Sequence, residues 1–117
     1  MTLKQGDIVL IPVPFTDLSS NKKRPLLILS GSSYNNITED IIGMAITSHI
    51  DEKTYAVSIT NDDMKEGFLS RDSCVRTDKI YTLSHSAVVK KFGSVKNEII
   101  PIVIGKMLSI FEQERNL

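Results

Sequence analysis

Short apolar stretches separated by polar turns fill most of the chain. The residues from Ile8 to Val13 are apolar and rich in β-branched side chains, which predicts a strand. The same pattern predicts further strands over 26–29, 41–47, 54–60, 73–76 and 80–83. Turn-forming residues predict loops at 15–21 and 31–36 and turns at 61–67 and 77–79. The stretch 85–95 fits either a short helix or a strand.

Two prolines punctuate the first predicted strand. Pro12 and Pro14 lack the N–H group that a sheet ladder needs, so this strand is expected to run along an edge or to bend there.

The spacing of apolar residues changes near the end of the chain. Positions three and four residues apart become apolar, which predicts a helix; they are Ile99, Ile100, Val103, Ile104, Met107, Leu108 and Phe111. Pro101 is tolerated only in the first helical turn, which places the start near Asn97 as the cap. Many short strands followed by one helix predict a mainly β fold, a small barrel-like sheet forming a single domain over residues 1–117.

Charge and cysteine content restrict the possible partners. With 14 basic and 14 acidic residues the formal net charge is +0, so nucleic acid cannot be bound by bulk charge. A local patch is required, and the tight basic clusters are Lys22-Lys23-Arg24 and Lys90-Lys91. Cys74 cannot form an internal disulfide and is expected to be a buried apolar residue. No apolar run of membrane-spanning length and no signal peptide is present, so the expected location is the cytoplasm without membrane contact.

Arginine is scarce, which makes each position easier to interpret. Arg24 lies between a polar loop and a strand, where a rigidly mounted cation could grip a phosphate. Arg76 and Asp78 are two residues apart and would share one strand face. They could form a coupled acid–base pair or a plain salt bridge.

Hydroxyl and imidazole groups supply further candidates. Thr47 and Ser48 end the third strand and could donate to a phosphate oxygen or simply begin a turn. His49 and His85 could serve as acid and base, although turn positions are the simpler interpretation. Two His and one Cys show no ligand spacing, so no metal site and no cofactor is expected.

The order of these motifs resembles the PemK-like branch of the MazF/PemK/Kid toxin family over nearly the whole chain. The matching segments are Gly6-Asp7-Ile8-Val9, Pro14-Phe15-Thr16-Asp17, Lys23-Arg24-Pro25, Ala45-Ile46-Thr47-Ser48 and the stretch from Ser73 to Ile80, followed by the terminal helix. The opening strand departs from the family by lacking its common aromatic residue.

The resemblance implies a small SH3-like barrel, similar to MazF and CcdB, that forms a homodimer. It implies a sequence-selective endoribonuclease that cleaves single-stranded RNA without metal, leaving a 2′,3′-cyclic phosphate and a 5′-hydroxyl. A cognate antitoxin would block the site. Arg24 carries over as the phosphate-binding and proton-transferring arginine, Thr47 as the hydroxyl that positions the phosphate, and Arg76 with Asp78 as an acid–base pair.

The identity of the general base stays open between Arg24 and Asp78. An arginine base would need a strongly depressed pKa, so Asp78 is preferred. Lys22, Lys23 and Ser48 are expected to bind RNA. Phe15 could stack on a base or anchor the core, and Tyr34 is a second stacking candidate.

Two other functions compete with this interpretation. A barrel that poisons a protein target, as the CcdB gyrase toxins do, is disfavoured because the chain has no Trp. A non-catalytic RNA-binding barrel is disfavoured by the net charge of zero.

Overall fold

A computed structural model describes residues 2–12, 22–48 and 55–112. The strands in these segments are β1 (Asp7–Pro12), β2 (Lys23–Ile28), β3 (Asp40–Thr47), β4 (Ala56–Ile59), β5 (Met64–Glu66), β6 (Ser73–Ser84) and β7 (Lys90–Val95). The helices are α1 (Ser32–Ile37) and α2 (Ile99–Ile110), and 3-10 turns span Asn61–Asp63 and His85–Ala87. Phe15, the predicted loop 15–21, Pro14 and His49 lie outside the described residues.

The described strands form one antiparallel sheet in the order β4-β6-β3-β2-β1-β7-β5. The sheet curls and buries apolar side chains on both faces. Within β1, Ile8 belongs to the cluster that packs against α2, whereas its neighbour Val9 belongs to the cluster on the opposite face. Burial on both faces explains why the strands are apolar runs rather than strict alternations. The predicted mainly β, barrel-like fold with a C-terminal helix is confirmed.

The expectation that β1 lies at an edge is wrong. β1 pairs with β2 on one side and with β7 on the other. Pro12 is tolerated because pairing with β7 extends only from Asp7 to Leu10. The strand does contain an irregularity between Ile8 and Val9, where the register with β7 shifts.

The predicted loop at 31–36 is instead mostly the helix α1. The side chain of Asn35 is buried and donates to the carbonyl oxygens of Leu3, at 3.2 Å, and Ser30, at 3.0 Å. The hydrogen bond to Leu3 joins residues 32 apart in the sequence, so it is a tertiary contact that the local pattern of Ser and Asn residues does not reveal.

The predicted turn at 77–79 is also wrong, because β6 continues through it. Thr77 is fully buried, and its hydroxyl donates to the carbonyl oxygen of Tyr55 at 2.6 Å. The register between β3 and β6 shifts here, because Met44 is opposite Ile80 whereas Ile46 is opposite Val75. The extra residues of the longer strand β6 lie between these two pairs.

Smaller differences concern the second half of the chain. The predicted turn at 61–67 divides into a 3-10 turn and β5, whose Met64 packs into the core. The ambiguous stretch 85–95 is a 3-10 turn followed by β7. Helix α2 has Glu98 rather than Asn97 at the cap position, and Pro101 lies in its first turn as predicted.

Candidate active site

Arg24 and Thr47 lie at neighbouring ends of β2 and β3. Leu26 pairs with Ala45 in the antiparallel register, and extending that register by two residues sets Arg24 opposite Thr47. Arg24 is exposed at the start of its strand, and Thr47 is half-buried at the end of its own. The two candidate residues, which are distant in the sequence, are therefore neighbours in the sheet.

Two depressions meet at this pair of strand ends. The larger, called here the main cleft, has a volume of about 830 Å³ and runs toward β7. The smaller, called the side groove, has a volume of about 170 Å³ and runs toward β6. Arg24, Pro25, Ile46 and Thr47 line both, so they form the wall that the two depressions share.

The main cleft is strongly cationic although the chain has a formal net charge of +0. Its basic lining residues are Lys22, Lys23, Arg24, Arg71 and Lys90. Among the described residues, no Asp or Glu lines it. Lys91 differs from its neighbour Lys90, because its Nζ lies 3.2 Å from the buried Asp7 carboxylate. The local basic patch that RNA binding would need is therefore built mainly from the two clusters seen in the sequence, with Arg71 added by the fold.

Arg76 and Asp78 form a two-pronged ion pair on β6. Arg76 Nε donates to Asp78 Oδ1 at 2.9 Å and Nη2 donates to Oδ2 at 2.8 Å. These hydrogen bonds hold the pKa of the Asp78 carboxyl below its ordinary value and raise the pKa of Arg76. Arg76 lines the side groove with Arg24 and Thr47, whereas Asp78 lines neither depression. The predicted pairing is confirmed, and its geometry is that of a salt bridge.

The remaining candidates fall into two groups. Lys22, Lys23 and Ser48 line the main cleft, as an RNA-binding role requires. His85 begins a 3-10 turn elsewhere, with Nε2 lying 3.1 Å from the Asp40 carbonyl oxygen, and Tyr34 lies in α1.

The predicted environment of Cys74 is confirmed, since it is buried in β6. Within the segments that the structure describes, no three His, Cys, Asp or Glu side chains are grouped so that they could hold a metal ion.

The sequence did not single out several residues that the fold brings to the site. Phe68 and Arg71 reach the main cleft from the segment between β5 and β6, and Lys79 and Tyr81 reach the side groove from β6. The scarcity of arginine drew attention to Arg71, but nothing in the sequence indicated that it would line the main cleft.

A family model describing the PemK-like, MazF-like toxins of type II toxin–antitoxin systems matches residues 4–111. The chain belongs to this family of endoribonuclease toxins. A search of curated proteins found no significant match.

Solved structures share the fold at low sequence identity. The Mycobacterium tuberculosis toxin MazF-mt6 is 17% identical, with a TM-score of 0.73 over 92% of this chain and 98% of that one. A MazE–MazF complex from Deinococcus radiodurans is 21% identical, with a TM-score of 0.77 over 97% of this chain and 100% of the other. An endoribonuclease in complex with its cognate antitoxin, from a mycobacterial species, is 16% identical, with a TM-score of 0.75 over 93% and 94%.

No helix in the described segments is long and apolar enough to cross a membrane.

Proposed function

We propose that the protein is a sequence-selective, metal-independent endoribonuclease that cleaves single-stranded RNA as the toxin of a toxin–antitoxin pair. The observation that carries this proposal is the cationic cleft, whose described lining contains no Asp or Glu and which has Arg24 and Thr47 on its shared wall. The basic lining attracts a polyanion, and the phosphate of a bound RNA would lie against a cation and a hydroxyl. The family to which the chain belongs supports the same activity.

The proposed reaction is transphosphorylation within the RNA. The 2′-oxygen forms a bond to the adjacent phosphorus, its proton passes to a base, and the bond to the 5′-oxygen breaks. The departing 5′-oxygen takes a proton from an acid, leaving a 2′,3′-cyclic phosphate and a 5′-hydroxyl. Arg24 and Arg76 stabilise the charge that develops on the phosphate oxygens, and the Thr47 hydroxyl donates to one of them.

Asp78 acts in this proposal as a positioning residue. Both of its carboxylate oxygens accept hydrogen bonds from Arg76, which fixes the guanidinium at the side groove. The lowered pKa also makes the carboxylate a weaker base. The competing prediction, with Asp78 as the general base, is separated from this one by the pH dependence described in the Discussion.

We further propose that a cognate antitoxin binds the protein and that it forms a homodimer. The similar structures include complexes of a toxin with its antitoxin. Helix α2 also exposes Ile102, Leu108 and Phe111, a surplus of apolar surface for a small domain. Sedimentation at micromolar concentration tests the dimer, and a monomer alone would contradict it.

The first experiment is cleavage of a long, unstructured RNA by purified protein in excess EDTA, with Arg24→Ala in parallel. Discrete fragments from the wild type that end in cyclic phosphate, with little product from the variant, are expected. Absence of cleavage by folded wild-type protein would reject the proposal. Equal cleavage by both proteins would exclude Arg24 from the site.

A further inference from the structure

Phe68 is unusual because an aromatic side chain is left largely in water on the rim of the main cleft. Its side chain is 74% exposed, and the residue lines the cleft together with Arg71 and Lys90. An exposed phenylalanine contributes little to folding, since stabilisation by burial scales with the apolar area removed from water. An exposed aromatic face in a cleft that is also lined by cations suits a ligand with both a flat apolar face and negative charge.

The backbone on the N-terminal side of Phe68 is fixed against β7. Gly67 has a φ of +72°, and a Cβ placed on it would collide with the Phe92 carbonyl oxygen. Only glycine fits this close approach, so the backbone just before Phe68 packs directly against β7.

The backbone on the C-terminal side is fixed by an amide. Asn61 Oδ1 accepts a hydrogen bond from the Leu69 N–H at 2.6 Å, and Asn61 Nδ2 donates to the Leu69 carbonyl oxygen at 3.0 Å. The Leu69 side chain is itself buried in the core. Phe68 is therefore held by a segment that is anchored on both sides. Stacking of a ligand on it would cost the protein little conformational entropy.

We propose that Phe68, together with Arg71 and Lys90 of the same cleft lining, forms a subsite for one unpaired nucleobase of the RNA and the phosphate next to it. This inference rests on the proposed function and extends it, because Phe68 lines the main cleft but is not part of the wall that the two depressions share. An aromatic face accepts a base from a single strand, and the cations compensate its phosphate. The subsite would hold a nucleotide that flanks the cleaved bond and so contribute to the choice of cleavage sequence.

The test uses single-stranded oligonucleotides of degenerate sequence, 2′-O-methylated so that they cannot be cleaved, with one central 2-aminopurine. Anisotropy reports binding, and loss of fluorescence intensity reports stacking of the 2-aminopurine. Phe68→Ala is compared with Phe68→Tyr, which keeps the aromatic face, and with Ile37→Ala as a control for loss of an exposed apolar side chain. Ile37 is 83% exposed at the end of α1 and lines neither depression.

Wild type, Phe68→Tyr and Ile37→Ala are expected to bind with quenching. Phe68→Ala is expected to lose the quenching and to bind about 5- to 160-fold more weakly. Equal quenching by Phe68→Ala and wild type would overturn the subsite, as would absence of binding by wild type. The proposed function is judged separately by cleavage of the long RNA, so a wild type that cleaves but does not stack the base through Phe68 rejects the subsite alone.

Discussion

The two ends of the β2–β3 pair use polar side chains in opposite ways. At the end near α1, polar groups bind one another: the Ser30 hydroxyl donates to Asn35, and the Asn35 amide donates to two backbone carbonyl oxygens. At the other end, Arg24 is exposed and faces no carboxylate of the described cleft lining. The polar groups at one end of these two strands thus stabilise the fold. At the other end, the exposed Arg24 guanidinium can face a ligand.

This difference predicts that the residues needed for cleavage and the residues needed for stability lie at opposite ends of these strands. Buried polar groups that are fully hydrogen-bonded are costly to disrupt, whereas an exposed cation contributes little to folding. Substitutions at the cleft end should therefore reduce cleavage, and substitutions at the α1 end should reduce the free energy of unfolding.

The largest effect is expected for Arg24→Ala. Loss of one preorganised donor to a developing anionic charge typically reduces a rate by about 10²- to 10³-fold. The free energy of unfolding should change by no more than about 0.5 kcal/mol, because the residue is exposed. Cleavage rates in EDTA and urea unfolding measure the two quantities. The control is Lys106→Ala, which removes an exposed cation that lies in α2, and it should cleave like the wild type. A large loss of stability in Arg24→Ala would show that this end of the strands also stabilises the fold.

The opposite outcome is expected for Asn35→Ala. Removing the amide leaves the Ser30 hydroxyl proton without its acceptor and two backbone carbonyl oxygens without the Asn35 donor, which should reduce the free energy of unfolding by about 1–3 kcal/mol. Cleavage per folded molecule should stay at the wild-type level. The neighbouring residue Asn36 is exposed, so Asn36→Ala should change stability by less than about 0.5 kcal/mol. If both variants lose stability equally in urea, the network around Asn35 is not what stabilises this end.

How much of this could be predicted from the sequence depends on the range of the interactions. Arg24 and Thr47 could be identified as candidates because Arg24 comes just before an apolar run and Thr47 just after one, and strand ends are local features. The helix α1 could not, because Asn35 is held partly by Leu3, which lies 32 residues away. Phe68 could not be placed either, since its position depends on a side chain–backbone clamp from Asn61 and on contact with β7.

The Arg76–Asp78 pair allowed a finer prediction. Two residues of opposite charge that lie two apart on a strand share one face, so the spacing of Arg76 and Asp78 predicts their pairing wherever a strand runs through both. The continuation of β6 through the pair did not, because it depends on burial of Thr77 and its hydrogen bond to Tyr55.

A smaller effect on cleavage is expected for Asp78→Asn. If the carboxylate only orients Arg76, cleavage should fall about two- to fivefold, because exposed ion pairs contribute about 0.2–1 kcal/mol. The pH–rate profile should keep its shape. If Asp78 is the general base, the rate should instead fall by about 10²- to 10⁴-fold and the acidic limb of the profile should change. Glu112→Gln, which removes an exposed carboxylate after α2, serves as the control.

The smallest effect is the pH dependence of stability that the same ion pair produces. The Arg76 hydrogen bonds lower the folded-state pKa of Asp78 from 3.8, so the unfolded state binds more protons as the pH falls through this region. The stabilisation is therefore fully present above about pH 5 and is lost as the pH falls through the folded-state pKa. The Asp78 side chain is 36% exposed, so solvent screening limits the contribution to less than about 1 kcal/mol. Urea unfolding of wild type and Asp78→Asn should differ near neutral pH and converge under strongly acidic conditions. A difference in stability that persists unchanged at low pH would mean that the asparagine perturbs β6 through an effect other than the loss of charge. The positioning role of Asp78 would then have to be tested by measuring cleavage by Arg76→Lys as well.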